Sequence, residues 1–207
     1  MEKRRGGELI VIIGYNNTGK SVETRFLIEN FNNKRKGKSN RPKNFGKLIV
    51  YDPHRRYEDF LVDGDIVLRP SRENWYEEVR ECKDSLMVLD DYRGLIPNDR
   101  MDSGFLDILF DRAEHGLDII IITHSPLQIL NRLVTYIDKY ILFYSLGDEK
   151  AFEGKTTNPE VLVMLRDMVN KEYKKYSPED YSKLYPNFPY IYYDTVRDKA
   201  IKVNFKE

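Results

Sequence analysis

Residues 9–21 read LIVIIGYNNTGKS, and this stretch decides the fold. The apolar run Leu9 to Ile13 predicts a buried strand, and Val22 to Phe31 predicts a helix that starts directly after a glycine turn. Between them, residues 14–21 match the pattern GxxxxGK(S/T). Because loops of this kind connect a strand to a helix N-terminus, the flanking elements strengthen the match. The segment therefore predicts a strand, a phosphate-binding loop and a helix.

This loop supplies several kinds of phosphate ligand. Its backbone N–H groups are expected to cradle a β-phosphate at the positive end of the helix. Gly14 and Gly19 permit the backbone angles that the loop needs. Lys20 reaches the β- and γ-phosphates, and the Ser21 hydroxyl coordinates Mg²⁺. The predicted nucleotide-binding residues of the loop are Gly14, Tyr15, Asn16, Asn17, Thr18, Gly19, Lys20 and Ser21.

Two consecutive acids, Asp90 and Asp91, close the apolar strand predicted for Ser85 to Leu89. A phosphate-binding loop needs an acid at the end of a neighbouring strand, because Mg²⁺ keeps waters that a carboxylate must orient. We expect Asp90 to hold the Mg²⁺ shell and Asp91 to orient and deprotonate an attacking water. Paired acids after a strand also cap helices and turns, so a structural role is the alternative for Asp91.

Another apolar strand, predicted for Leu117 to Ile122, is followed by the polar residues Thr123 and His124. A polar residue at the C-terminal end of a strand lies at the ligand edge of an open parallel sheet. Thr123 or His124 is therefore expected to hydrogen-bond the γ-phosphate or the attacking water. The alternative for His124 is to cap a helix that the sequence predicts after Pro126, from Leu127 to Val134.

An arginine is expected to assist phosphoryl transfer, because a cation stabilises the leaving phosphate and often comes from a neighbouring subunit. Arg112, just before the polar-ended strand, is the first candidate. Arg93 and Arg100, after the paired acids, are its rivals. A surface position without a catalytic role is the alternative for each of the three.

The charge of the chain is balanced, with 34 basic and 34 acidic residues. Many DNA-binding domains show an overall basic excess, so any contact with nucleic acid here must be local. The one concentrated candidate is the segment Lys34 to Lys47, which carries seven basic residues and no acid. Its glycine, asparagine, serine and proline content predicts a loop. The alternatives for this loop are a solvated connection and a contact with DNA phosphates.

The order of predicted elements indicates the fold class. Strands alternate with helices, and most strands are apolar throughout, which predicts an α/β fold: a mostly parallel central sheet with helices on both faces. The 207 residues suffice for one domain of ordinary size. No apolar run approaches the ~20 residues of a membrane span and no signal peptide is evident, so a soluble protein is expected.

We expect residues 1–150 to form the core and residues 151–207 to form C-terminal helices and a hairpin that pack on it without being an independent domain. A helix is predicted from Pro159 to about Tyr176. The hairpin is predicted from two apolar runs, Pro189 to Tyr193 and Ala200 to Phe205.

Together these features resemble the FtsK–HerA branch of P-loop ATPases, which have the RecA-like (ASCE) fold. Within it they are similar to the genome-packaging ATPases of tailless icosahedral viruses with an internal membrane. The resemblance covers nearly the whole chain. It rests on GYNNTGKS at 14–21, the strand ending in Asp52-Pro53, LMVLDD at 86–91, DRAEHGLDIIIITHSP at 111–126 and FPYIYYDTVRDKAIKVNF at 188–205.

The resemblance implies ATP and Mg²⁺ as cofactors, a homo-oligomeric ring and ATP-driven DNA translocation. It also implies that the polar-ended strand lies between the strand of the phosphate-binding loop and the strand of the acids. Capsid or portal vertex proteins are the implied partners, and the host cytoplasm is the implied location. The chain departs from the family at Asp91, where the family usually has glutamate, and at His124, where it commonly has glutamine.

Three other functions stay open at this point. The zonular-occludens-toxin-like proteins of filamentous phages, from the same superfamily, export virions, but they generally carry a transmembrane segment after the ATPase domain. A P-loop small-molecule kinase would use the basic segment as a lid, although a kinase needs no water-activating acid such as Asp91. A nucleotide-switched interaction module would bind ATP without useful turnover.

Overall fold

The structure is a computed structural model that describes residues 7–35, 45–69, 75–95, 103–145, 149–154, 156, 158–176 and 183–206. The strands are β1 (Leu9–Ile13), β2 (Leu48–Tyr51), β3 (Ile66–Val67), β4 (Leu86–Asp90), β5 (Asp118–Thr123), β6 (Lys139–Leu142), β7 (Tyr190–Asp194) and β8 (Lys199–Val203). The α-helices are α1 (Lys20–Arg35), α2 (Trp75–Arg80), α3 (Ser103–His115) and α4 (Pro159–Tyr173). None of the described helices combines the length and the apolarity that a membrane crossing requires.

The strands form one sheet in the order β3-β2-β4-β5-β1-β6-β7-β8. The pairings of β2 with β3, of β2 with β4 and of β1 with β6 are parallel. This confirms the predicted α/β fold with a mostly parallel sheet. The polar-ended strand β5 lies between β1 and β4 in this order, as the resemblance implies.

The chain divides into two compact units, each built from two stretches of sequence. The first comprises Met1–Leu9 and Glu23–Ile121, and the second comprises Ile10–Val22 and Ile122–Glu207. The predicted boundary at residue 150 stays a prediction.

Within the first unit, the parallel register of β2 and β4 brings two strand ends side by side. Tyr51, the last residue of β2, lies opposite Leu89. Every residue of both strands is buried, including the charged Asp90 at the end of β4. The turns that follow β2 and β4 therefore meet at the same edge of this unit.

Within the second unit, β1 pairs with β6, and the C-terminal hairpin continues from there. β6 pairs with β7 and β7 pairs with β8, both antiparallel. The predicted hairpin thus extends the sheet by two strands. The observed strands, Tyr190–Asp194 and Lys199–Val203, lie within about a residue or two of the predicted runs, because apolar side chains alternate there and turn residues separate them.

Two short 3₁₀ helices, Pro126–Gln128 and Asn131–Tyr136, occupy the region where the sequence predicts one α-helix from Leu127 to Val134. The prediction is wrong because Ile129 and Leu130 have extended backbone angles, with ψ of 126° and 133°. This break separates the two turns.

The basic segment 34–47 is anchored at the ends that the structure describes. Arg35 forms a two-pronged ion pair with Asp65, at 2.6 Å from Nη1 to Oδ1 and 2.8 Å from Nη2 to Oδ2. The two side chains are only 10% and 3% exposed. At the other end, the Lys47 ammonium donates to the carbonyl oxygen of Gly64. Arg35 therefore has a structural partner, which corrects its inclusion among the expected DNA contacts; residues 36–44 lie outside the described residues.

Candidate phosphate-binding site

The loop between β1 and α1 has no room for a side chain at either of its glycines. Gly19 has a φ of +102°, and a Cβ added there would lie 2.5 Å from Cγ of Phe188. At Gly14, an added Cβ would lie 2.6 Å from Cβ of Phe143 and 2.8 Å from Oγ1 of Thr18. Such short separations leave glycine as the residue that fits both positions. The loop is therefore a close-packed backbone cradle.

Hydrogen bonds fix the shape of this cradle. The Thr18 hydroxyl donates to the carbonyl oxygen of Tyr15 at 2.8 Å. The Tyr15 N–H donates to the Tyr144 carbonyl oxygen at 2.7 Å. From α4, the Tyr173 hydroxyl donates to the Thr18 carbonyl oxygen at 2.7 Å. The tip, residues 15–17, is exposed to solvent, whereas Thr18 is buried.

Lys20 begins α1, and its charged group lies inside the cradle. Its Nζ donates to the carbonyl oxygens of Gly14 at 2.6 Å and Tyr15 at 2.8 Å. The residue is 6% exposed. The first N–H groups of a helix have no partner within the helix, so an ammonium group and the positive end of α1 coincide here. This arrangement attracts anions.

The end of β5 contributes the predicted polar residues to the same unit. The Gly14 N–H donates to the carbonyl oxygen of Thr123 at 3.3 Å. Nδ1 of His124 lies 3.4 Å from Nζ of Lys20. The side chains of Lys20 and His124 are therefore neighbours at the mouth of the loop. The structure therefore brings the loop, Thr123 and His124 together, and their role toward a γ-phosphate stays a prediction.

Gln128 positions His124, and sequence reasoning missed it, although Ser125 and Gln128 match the capping-box pattern S-x-x-Q. Its Oε1 accepts from the N–H of His124 at 2.7 Å and from the N–H of Ser125 at 3.2 Å. The side chain of Ser125 accepts from the N–H of Leu127 at 3.3 Å, so Ser125 caps the turn. The alternative in which His124 is the cap is therefore wrong, because Ser125 supplies the capping oxygen.

The predicted acids lie in the first unit, where Arg56 and Tyr57 contact Asp90. Nη1 of Arg56 lies 3.1 Å from Oδ2 of Asp90. The Tyr57 hydroxyl donates to the same oxygen at 3.4 Å. The Asp90 side chain is 3% exposed and that of Arg56 is 38% exposed. Sequence reasoning missed Arg56, although the segment Asp52-Pro53 that precedes it was part of the family resemblance.

Asp91 has the left-handed backbone conformation, with φ of 54° and ψ of 53°. Aspartate tolerates this conformation better than most residues. Its side chain makes no capping hydrogen bond to the short helix Tyr92–Gly94 that follows, but its carbonyl oxygen accepts from the N–H of Gly94 at 3.1 Å. The catalytic and structural roles of Asp91 both stay predictions. Burial, and secondly the negative charge of Asp91, raise the pKa of the Tyr51 phenol above its ordinary value. A protonated Tyr51 therefore stands near Asp91.

Arg112 lies in the last part of α3 and is engaged within that helix. Its Nη1 donates to the carbonyl oxygen of Leu109 at 2.5 Å. Its own carbonyl oxygen accepts from the N–H of Leu117 at 3.0 Å. Arg93 is exposed in the short helix after Asp91, and Arg100 lies outside the described residues. The role of an arginine toward a neighbouring subunit stays a prediction.

The residues present fit a nucleotide phosphate and a magnesium ion. Loop amides and the Lys20 ammonium are the donors that phosphate oxygens take. Ser21, in the first turn of α1, supplies a hydroxyl group. In the first unit, Asp90 supplies a carboxylate. Mg²⁺ is usually held by one or two carboxylates together with substrate phosphates, so these are the expected donor types.

No protein-family model matches the chain. No curated protein sequence matches it either.

Several solved structures have a similar fold. The DNA-packaging ATPase B204 of Sulfolobus turreted icosahedral virus gives a TM-score of 0.59 at 14% identity, over 95% of this chain and 96% of that chain. The genome packaging NTPase B204 of Sulfolobus turreted icosahedral virus 2, in complex with AMPPCP, gives a TM-score of 0.62 at 12% identity, over 95% of this chain and 97% of that chain. The cytoplasmic domain of the type VII secretion ATPase EccC of Thermomonospora curvata gives 0.51 at 13% identity, over 97% of this chain and 24% of that chain. At these identities the likeness establishes a common fold.

We expect Gly19→Ala to weaken binding of AMPPCP and to lower the free energy of unfolding, because the new methyl group meets the Phe188 ring. Gly154→Ala is the matched control: Gly154 also has a positive φ, of +65°, but nothing lies within 4 Å of an added Cβ. In the control, the free energy of unfolding should fall only by the cost of the new backbone strain, about 1–2 kcal/mol. Calorimetric titration and urea denaturation measure the two effects.

The double variant Gly19→Ala/Phe188→Ala should recover part of the binding, because the clash is removed. Equal losses in Gly19→Ala and Gly154→Ala, with normal AMPPCP binding in both, would contradict the close-packed cradle.

Proposed function

We propose that this chain is a magnesium-dependent ATPase of the FtsK–HerA branch that drives DNA into a viral capsid. The observation that carries the proposal is the nearly buried Lys20 ammonium, held by the carbonyl oxygens of Gly14 and Tyr15 inside a loop walled by glycines. The fold shared with two viral packaging enzymes over nearly the whole length of both chains supports the choice among P-loop enzymes.

In this proposal the loop binds and orients the triphosphate. Backbone N–H groups at the start of α1 and the Lys20 ammonium take the β- and γ-phosphate oxygens. Lys20 exchanges neutral carbonyl partners for anionic ones, and charge-assisted hydrogen bonds are the stronger kind. Ser21 and Asp90 are the residues that would hold a metal ion, and Mg²⁺ when bound would neutralise charge that develops on the phosphates.

Asp91 is the proposed general base. It orients the attacking water and takes its proton at a carboxylate oxygen. Its side chain does not cap the turn that follows, and Tyr51 beside it keeps its proton because burial and the charge of Asp91 disfavour the phenolate. An aspartate is one methylene shorter than the glutamate usual in the family, so slower hydrolysis is expected.

Thr123 and His124 are the proposed sensors of the γ-phosphate. Nδ1 of His124 lies 3.4 Å from Nζ of Lys20, so the two side chains are neighbours. With Lys20 on a phosphate, His124 would lie beside the γ-phosphate or the attacking water. Gln128 holds the backbone of His124 in place during the change.

DNA, further copies of the chain and the capsid are the proposed partners. A chain with one ATP site moves along DNA only when several copies act in turn, so a homo-oligomeric ring is proposed. The basic segment 34–47, apart from the paired Arg35, is the proposed contact with the DNA backbone. Capsid or portal vertex proteins would anchor the ring during packaging in the host cytoplasm.

An assembly or export ATPase is the second candidate, favoured by the fold likeness to the secretion ATPase EccC. That likeness covers 24% of the EccC chain, whereas the packaging enzymes match over nearly all of both chains. A small-molecule kinase is the third. Comparing ATP turnover with and without double-stranded DNA, together with a screen of nucleoside monophosphates as acceptors, separates the three.

We expect Lys20→Ala to abolish ATP hydrolysis and to weaken nucleotide binding, because the loop loses its cation. Asp91→Asn should keep nucleotide binding and lower turnover by roughly 10²-fold or more, the range for loss of a general base. Lys171→Ala, at an exposed position of α4, is the control. Phosphate release and calorimetric titration measure the two quantities.

Near-normal turnover in Lys20→Ala would overturn the assignment of the loop. If Asp91→Asn loses affinity and keeps its rate per bound ATP, the roles of Asp90 and Asp91 are reversed.

Neutralising the basic segment should lower DNA affinity and flatten its salt dependence, since phosphate contacts act by releasing counterions. The variant is Lys34→Gln/Lys36→Gln/Lys38→Gln, with Arg35 kept because it stabilises the fold through Asp65. The control is Lys171→Gln/Lys174→Gln/Lys199→Gln, which removes the same charge from exposed positions elsewhere. DNA binding is measured at several salt concentrations, and the same salt slope in both variants would make the segment a solvated connection.

If Arg112 acts across a subunit boundary, Arg112→Ala protein should bind ATP normally and hydrolyse it poorly. Mixing it with inactive Lys20→Ala protein should restore part of the activity, because some interfaces then pair an intact loop with an intact arginine. Arg132→Ala, at an exposed position, should stay active on its own. An inactive mixture under demonstrated co-assembly would assign Arg112 to its hydrogen bond with Leu109.

A further inference from the structure

The acid proposed to hold magnesium is already paired with a cation of its own chain. Oδ2 of Asp90 accepts from Nη1 of Arg56 at 3.1 Å and from the Tyr57 hydroxyl at 3.4 Å. The Asp90 side chain is 3% exposed, so its charge depends on such partners. A second cation that approaches Asp90 therefore meets a carboxylate whose Oδ2 already accepts hydrogen bonds from Arg56 and Tyr57.

The turn that carries Arg56 is held firmly. Asp52, directly after β2, accepts the N–H of His54 at 3.0 Å on Oδ1 and the N–H of Tyr57 at 2.9 Å on Oδ2. From α1, the Arg25 guanidinium donates to the carbonyl oxygen of Arg56 at 2.6 Å. The backbone of the turn is thus bound on both sides, and Arg56 is kept within reach of Asp90.

The Arg56 side chain itself can leave. It is 38% exposed, whereas its partner is buried, so the guanidinium can move into water while the carboxylate cannot follow. Guanidinium groups are weakly hydrated compared with ammonium groups and change partners without changing charge. The pair therefore joins one buried member and one partly exposed member.

We infer that Arg56 competes with Mg²⁺ for Asp90 and thereby sets the Mg²⁺ concentration at which the nucleotide site loads. The inference rests on the proposed function, because it takes Asp90 as the magnesium acid. Two cations that share one carboxylate oppose each other, and the opposition is a coupling free energy between them. Removing the charge of Arg56 should therefore tighten metal-dependent nucleotide binding.

The test is Arg56→Gln, which removes the charge and keeps a hydrogen-bond donor. Binding of AMPPCP is followed by calorimetry at fixed analogue concentration while Mg²⁺ is titrated, so that no turnover is required. The half-saturating Mg²⁺ concentration should fall about fivefold or more, the lower end of typical couplings between sites.

Arg55→Gln is the matched control. Arg55 precedes Arg56, but its side chain is 76% exposed and contacts Glu58, itself 58% exposed, at 3.5 Å. Its half-saturating Mg²⁺ concentration should equal that of the unchanged protein. Tyr57→Phe removes the other donor to Oδ2 without a change of charge, and should shift the value much less than Arg56→Gln. Arg56→Met serves in the same assay if the glutamine variant does not fold.

An unchanged Mg²⁺ requirement in Arg56→Gln would overturn the inference. A higher requirement would also overturn it, since Arg56 would then orient Asp90 for the metal. Binding of AMPPCP that is equal with and without Mg²⁺ in the unchanged protein would overturn it too. If the unchanged protein binds no AMPPCP at any Mg²⁺ concentration, the proposed ATPase function fails instead, so the two failures are distinguishable.

Discussion

A single charge, the Lys20 ammonium, governs the structure around the loop. A nearly buried cation requires polar partners, because an unpaired charge away from water costs several kcal/mol. The carbonyl oxygens of Gly14 and Tyr15 supply these partners only if the backbone curls back over the first turn of α1. That curl places both glycines against other groups and leaves them no side chain. The sequence pattern of the loop is thus a consequence of where one ammonium group must lie.

A comparable constraint operates in the first unit, where the buried Asp90 needs a counter-charge. The parallel register of β2 and β4 supplies it by placing the turn after Tyr51 beside the end of β4. Asp52 then fixes the turn, and Arg56 and Tyr57 reach the carboxylate. The Asp90 carboxylate therefore belongs to a structural ion pair and is also the proposed metal ligand. The stability of this unit and its affinity for a divalent cation are expected to oppose each other.

Local patterns predicted most of the fold. The observed bounds of β1, Leu9–Ile13, match the predicted apolar run, and the alternation of strands and helices predicted the fold class. Contacts between residues distant in sequence were not predictable: Arg56 reaches Asp90 across 34 positions, and Tyr173 reaches Thr18 across 155. The structural role of Arg35 was hidden for the same reason, because its partner Asp65 lies 30 positions away. The chemical role of a single residue can be predicted from its local sequence. Which distant residue it contacts depends on the order and register of the strands in the folded sheet.

The contacts of Tyr173 and Phe188 with the loop have a consequence for synthesis of the chain. The Tyr173 hydroxyl bonds to Thr18, 155 positions earlier in the sequence, and the Phe188 ring contacts Gly19. Chains emerge from the ribosome N-terminus first, at about 5–20 residues per second, so the loop waits on the order of ten seconds or more for these two side chains. A nascent chain therefore completes its phosphate cradle only after Phe188 has been made, and a product that terminates before Tyr173 cannot assemble the same cradle.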